Sequence, residues 1–257
     1  MIGNSRWHWA WFIEQELQFA WDTEYLSAAV VQNLASYQDI SNFSRKILAP
    51  RSIESASLPP IYLASVVPQA TIMWQAYPKL HKITLNQVPL LAVYPTLGID
   101  RALALWGAGA TWGFPALVID AGTALTFTGA KCDRTLVGGA IVPGVCLQLQ
   151  SLGEKAAALP IIDTPTSLPS RWALNTPESI QSGVIYTLIA GIKGFICAWW
   201  QEFPESCIAI TGGDRALLLE YLQAQYPDIA AKIISAPYLI FQGICCYWVS
   251  REEEGQR

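Results

Sequence analysis

Two segments of the chain place acids, hydroxyls and glycines at spacings that suit phosphate chemistry. They are Asp120-Ala-Gly-Thr-Ala124 leading into Leu125-Thr-Phe-Thr-Gly129, and Gly138-Gly-Ala-Ile-Val-Pro-Gly144. In the first, an apolar approach from Ala116 to Ile119 ends on a carboxylate, turns through glycine and threonine, and resumes as a strand. Such a hairpin offers backbone N–H groups, a hydroxyl and an acid to a polyphosphate with its metal ions, which makes it a nucleotide-site candidate. A third segment, Tyr94-Pro-Thr-Leu-Gly-Ile-Asp-Arg101, sets adjacent opposite charges after a glycine turn and at the opening of an Ala/Leu-rich helix. Taken alone, it also fits an ordinary helix start, where an Asp in the first turn is favoured by the exposed N–H groups.

The elements that must position these residues read as alternating strands and helices. Ile2-Gly-Asn-Ser5 precedes alternating Trp7, Trp9 and Trp11 just as Asp120–Thr123 precedes Leu125, Phe127 and Gly129, so the two halves are expected to share a fold. Between them, Ile61–Val67 reads as a buried strand stopped by Pro68, and Ala102–Gly109 as a helix. Helices are expected over Val145–Ala157 and Pro177–Trp200, then a strand Cys207–Ile210, a Thr211-Gly-Gly turn, and helices from Asp214 to about Gln225 and from Tyr238 to Arg251. Strands followed by helices in both halves predict an α/β architecture.

At 257 residues the chain has room for one large domain or two. Only 14% of residues are charged, 52% are hydrophobic and 11 are Trp, so apolar surface is expected to be covered between subunits. The apolar runs Leu188–Trp200 and Tyr238–Val249 are interrupted by Lys193 and by Gln242-Gly243, which argues against a membrane span. The start carries no secretory pattern, so a cytoplasmic location is expected. A net charge of −4 with no Lys/Arg cluster argues against a nucleic-acid surface. Six cysteines without Cys-x-x-Cys spacing read as small buried residues.

Together these segments resemble the type III pantothenate kinases. The resemblance rests on Gly98-Ile-Asp-Arg101, Asp120-Ala-Gly-Thr-Ala124, Gly138-Gly-Ala-Ile-Val-Pro-Gly144 and the pair Asn175-Thr176, with Ser65-Val-Val-Pro68 and Thr211-Gly-Gly213 as further landmarks. Order and spacing agree across nearly the whole chain. The resemblance implies an α/β fold of two ribonuclease-H-like domains of the actin-like ATPase type facing a central cleft. The domains would span residues 1–113, with a first phosphate loop and the Gly-Ile-Asp-Arg motif, and 114–257, with a second phosphate loop and the Thr-Gly-Gly turn. It also implies a homodimer with the substrate pocket at the interface, and transfer of the γ-phosphate of ATP to pantothenate in the first step of coenzyme A synthesis.

Residue by residue, the resemblance assigns Asp100 as the general base for the primary hydroxyl of pantothenate. Arg101 would bind the pantothenate carboxylate with its planar donor fork. Tyr94, Gly98, Ile99 and Thr176 would complete the substrate contacts, and Thr176 also reads as a helix N-cap ahead of Pro177. Asp120 would hold a monovalent cation, K⁺ or NH₄⁺, and an Asx-turn acid is its structural alternative. Thr123 and the first loop, Gly3, Asn4, Ser5, Arg6 and His8, would contact ATP, which is used with Mg²⁺. Gly138-Gly139 and Pro143-Gly144 read as turn residues that shape the cleft.

The first loop departs from the family pattern, because Met1 stands where the family has an acid and His8 where it has a lysine. That removes a group that orients Mg²⁺ and weakens phosphate charge compensation. A first strand needs about 5–6 residues, so an apolar strand upstream of Met1 is expected in the natural protein. Two other readings stay open from the residues: another phosphotransferase of the superfamily acting on a sugar or polyphosphate, and a non-catalytic regulator derived from the kinase.

Overall fold

The structure, a computed structural model, describes residues 1–36, 58–156 and 158–255. The chain divides into two compact units. One comprises residues 1–89, 94–107 and 240–257; the other comprises 90–93 and 108–239.

The second unit is built on a five-stranded sheet. Its strands are β5 (Ala116–Ala121), β6 (Ala124–Ala130), β7 (Leu136–Pro143), β8 (Cys207–Thr211) and β9 (Ile234–Ser235). Their order is β7-β6-β5-β8-β9, with β5, β6 and β7 antiparallel and β8 and β9 parallel to β5. Ala116 to Ile119 are all buried, as a central strand covered on both faces requires.

Helix α5 (Thr176–Glu202) covers this sheet with Ile180, Val184, Ile185, Leu188, Ile189, Ile192, Ile196 and Trp199, which recur at helical spacing. It is long and apolar enough to cross a membrane by length and composition, yet that stripe packs into the core with Ile119, Phe127, Leu149 and Ile210. Around it lie α4 (Val145–Lys155), α6 (Arg215–Gln225) and the short α7 (Pro227–Ala230). The expected helix end at Ala157 falls outside the described residues.

The first unit repeats this order. Strands β1 (Trp7–Ile13) and β2 (Glu16–Thr23) form an antiparallel hairpin, and β3 (Ile61–Leu63) pairs in parallel with β4 (Leu80–Lys82). Ile2 joins the two pairs through an antiparallel bridge to Trp7 and a parallel bridge to Ser65. The resulting order, β2-β1-Ile2-β3-β4, has the same strand directions as the larger sheet, with Ile2 in the place of β5. Helices α1 (Ala28–Ser36), α2 (Pro68–Ile72), most of α3 (Ile99–Trp112) and α8 (Leu239–Gly255) complete the unit.

Trp7, Trp9 and Trp11 alternate along β1 and turn into a core with Val31, Leu34, Trp74 and Tyr77. An apolar cavity of about 330 Å³ lies among β1, β3, Trp74 and α8, lined by Trp9, Trp11, Leu63, Ile244 and Trp248.

Two expectations need correction. Gly138 and Gly139 lie inside β7, opposite Gly129 and Thr128, and not in a turn. Their lack of side chains hides the strand from any propensity argument. The cysteines are not buried either: Cys132 and Cys146 are exposed and the other four are half-buried. All six are free thiols. Burial pushes the Cys207 thiol up to about 11.

Candidate active site

In the first unit, the Gly-Ile-Asp-Arg motif sits at the mouth of α3. The Leu97 N–H closes a turn onto the Tyr94 carbonyl at 3.0 Å. The Asp100 carboxylate then folds back over the helix start and accepts the Arg101 N–H at 2.8 Å. A Cβ on Gly98 would stand 2.3 Å from Asp100 Oδ1, so the motif needs glycine there for close approach rather than for an unusual φ. Arg101 is only 7% exposed, and its Nη1 donates to the Tyr94 hydroxyl at 3.1 Å. Tyr94, Gly98, Asp100 and Arg101 are thus one constellation, with Ile99 buried beneath it.

The first loop turns from Gly3 to Arg6, where the Gly3 N–H meets the Arg6 carbonyl at 3.1 Å. The Tyr25 hydroxyl donates to the Gly3 carbonyl at 2.6 Å. Asn4 and Ser5 are exposed at the tip. His8 follows on β1 and hydrogen-bonds through Nδ1 to Asp22 Oδ1 at 2.7 Å.

In the second unit, Asp120, the next-to-last residue of β5, lies directly beside Thr211 at the end of β8. Ligands gather at such carboxyl ends of parallel strands. Gly212, at φ +92°, rides against this end; a Cβ there would lie 2.4 Å from the Ala121 carbonyl and 2.6 Å from Asp120 Oδ1. The Asp214 N–H returns to the Ala121 carbonyl at 2.9 Å, and burial raises its carboxyl above the usual carboxylate range. Gly144 seats the start of α4 on the Gly122-Thr123 turn, its N–H on the Thr123 carbonyl at 2.9 Å, where a Cβ would come within 2.1 Å of the Gly122 carbonyl. Asp214 and Gly212 were not assigned roles from sequence, although the Thr-Gly-Gly turn marks the place.

Thr176 opens α5, but the cap is Asn175, whose side chain accepts the Glu178 N–H at 3.0 Å. The N-cap role expected of Thr176 therefore belongs to its neighbour, and Pro177 sits in the first turn where its missing N–H costs nothing. Asn175 and Thr176 line a groove of about 790 Å³ with Gln148, Leu152, Leu174 and Thr187.

Among the described residues no cluster of three or more His, Cys, Asp or Glu side chains is placed to hold a metal ion. Asp120 and Asp214 flank the Gly212 turn, and one or two carboxylates suit an ion that takes its remaining oxygens from phosphates and water.

Residues 2–198 match the family model described as type III pantothenate kinase. The chain belongs to the type III pantothenate kinase family. It is 55% identical over 250 residues to the type III pantothenate kinase of Nostoc sp., covering 95% of this chain and 91% of that one. It is 42% identical over 239 residues to the type III pantothenate kinase of Synechocystis sp., covering 90% and 82%. Among solved structures, a conserved putative Baf family transcriptional activator from Campylobacter jejuni superposes with a TM-score of 0.64 at 19% identity, covering 98% of this chain and 97% of that one. That likeness speaks for the fold alone. As a type III pantothenate kinase the protein phosphorylates pantothenate from ATP in coenzyme A biosynthesis, and both of its units mix strands with helices. A divalent metal ion accompanies the ATP.

Proposed function

We propose that Asp100 is the general base of this kinase and that Arg101, held by Tyr94, is the anchor for the pantothenate carboxylate. The observation that carries this reading is the constellation at the start of α3, where the Asp100 carboxylate folds over Gly98 and the buried Arg101 guanidinium meets the Tyr94 hydroxyl at 3.1 Å. A carboxylate near the primary hydroxyl takes its proton as the oxygen attacks, and transfer depends on positioning more than on covalent help from the protein. Arg101 fixes the far end of the substrate through its donor fork, which orients the hydroxyl toward Asp100. Bound ATP with its divalent ion supplies the γ-phosphoryl group.

In the same reading Thr176 gives a further hydrogen bond to pantothenate, and the groove over Asn175 and Thr176 supports it. Gly3, Asn4, Ser5, Arg6, His8 and Thr123 contact the nucleotide phosphates. Asp120 holds a monovalent cation, K⁺ or NH₄⁺, as a hard carboxylate oxygen suits. The enzyme works in the cytoplasm as a homodimer. The exposed Trp172 and Leu174, the latter lining the Thr176 groove, support a partner subunit covering that face.

Purified protein given ATP, Mg²⁺ and pantothenate is expected to form phosphopantothenate faster when K⁺ is added. Asp100→Asn should lower kcat about 10²–10⁴-fold with a smaller change in pantothenate KM. Asp120→Asn should blunt the K⁺ response instead. An Asp100→Asn enzyme with wild-type kcat would remove Asp100 from the base role.

A further inference from the structure

We propose that Asp22 is a positioning residue that fixes the His8 ring so that its Nε2 edge is the phosphate-facing group of the Gly3–Arg6 loop. The register of the β1–β2 hairpin sets His8 directly opposite Asp22, so both side chains leave the same face of the sheet. His8 Nδ1 meets Asp22 Oδ1 at 2.7 Å, and the far edge of the ring lies over the loop, with Nε2 3.3 Å from where a Cβ of Gly3 would stand. A Cβ at position 3 would make the ring give by a few tenths of an ångström.

Each half of that geometry has a consequence. The Asp22 carboxylate can only accept, so it selects the form with a proton on Nδ1 and fixes which ring edge Nε2 presents. In the neutral ring, Nε2 would then turn a lone pair toward the loop and repel a phosphate; in the cation, Nε2 carries a proton and donates. His8 thus stands where the family resemblance places a lysine, with its ring orientation set by Asp22.

Among the described residues, Glu14 and Cys245 line the same cavity as His8. Arg6 Nη1 lies 3.8 Å from Asp22 Oδ2, and Tyr25 is engaged with the Gly3 carbonyl. The Met1 nitrogen donates to the His8 carbonyl at 2.8 Å. Both side chains of the pair are partly exposed, which suits a group that must meet a ligand.

The proposal rests on the reading of Gly3–Arg6 as a nucleotide loop. Steady-state kinetics between pH 6 and 9 should show the ATP KM rising several-fold as His8 loses its proton, with the pantothenate KM level. Asp22→Asn should raise the ATP KM about 3–10-fold at pH 7.5, with little change in kcat, and Asp22→Glu should restore most of it. His8→Lys should flatten the profile. Because the chain has only two histidines, His8 and His81, imidazole NMR provides a measurement that needs no turnover and that works even for a poorly active variant. ATP should move the titration of His8 upward and leave His81 unmoved. A His8 titration that ATP does not shift, or an Asp22→Asn enzyme with the wild-type ATP KM profile, would overturn the proposal. Absence of phosphopantothenate with an intact His8 response would instead count against the catalytic assignments.

Discussion

Single atoms decide the chemistry at Gly98. Since a methyl at that position would sit 2.3 Å from Asp100 Oδ1, Gly98→Ala should push the carboxylate off its place over the helix start while the backbone, which has no unusual φ there, stays folded. The expected outcome is a kcat loss of at least about 10-fold with an unchanged melting curve, read by steady-state kinetics beside circular dichroism. This constellation was legible in the sequence because Gly98, Asp100 and Arg101 fall within four consecutive positions, and a helix start fixes where their side chains go. Tyr94 needed the structure to join them, since only a folded turn brings a hydroxyl seven residues away onto the guanidinium. Asp22 was not legible at all: its partnership with His8 depends on hairpin register, and a shift of one residue would have put it on the opposite face.

Capping and edges explain what could be read at the level of the elements. The long helices α3, α4, α5 and α6 carry apolar periodicity and clear starts, so their existence followed from pattern; α5 begins one residue earlier than Pro177 because Asn175 caps it. Replacing that cap, Asn175→Ala, should cost about 0.5–2 kcal/mol in urea unfolding. It should also raise the pantothenate KM if Thr176 in the next position serves the substrate. Strands β2, β7 and β9 escaped the reading. In β2, Glu16–Thr23 mixes charge with aromatics, in β7 a glycine pair lies at the sheet edge, and two residues of β9 are too few for any period to show. Only pairing with stronger neighbours makes them strands.

Across the whole molecule, two tyrosines set an alkaline limit, one in each unit. Burial pushes Tyr77 and Tyr221 up to about 12, and their hydroxyls donate to the Pro59 and Pro165 carbonyls. A raised folded-state value means the native protein binds more protons than the unfolded chain above pH 10. The stability these groups confer is therefore complete below about pH 10 and is lost as pH rises toward 12. Urea midpoints measured from pH 9 to 12 should fall over that interval, and Tyr221→Phe should flatten part of the fall. The exposed Trp172 and Leu174 make a separate prediction: Leu174→Asp should shift the protein toward monomer in sedimentation while leaving the helical signal intact. The repeated strand order was anticipated from two similar turn-plus-alternation segments; what the sequence hid is that in the first unit the central position is held by Ile2 through two single-residue bridges.

The tryptophan pair on the hairpin carries one more consequence. Trp9 and Trp21 lie opposite each other in the register, with ring centroids 5.9 Å apart and planes within 10° of parallel, one register step from His8 and Asp22. Indoles this close couple their excited states, and Trp7 and Trp74 join the cluster at 6.1 and 5.7 Å from Trp9. The protein thus carries an intrinsic optical signature of the sheet that presents its first loop, and ATP titrations can follow that sheet in unlabelled enzyme.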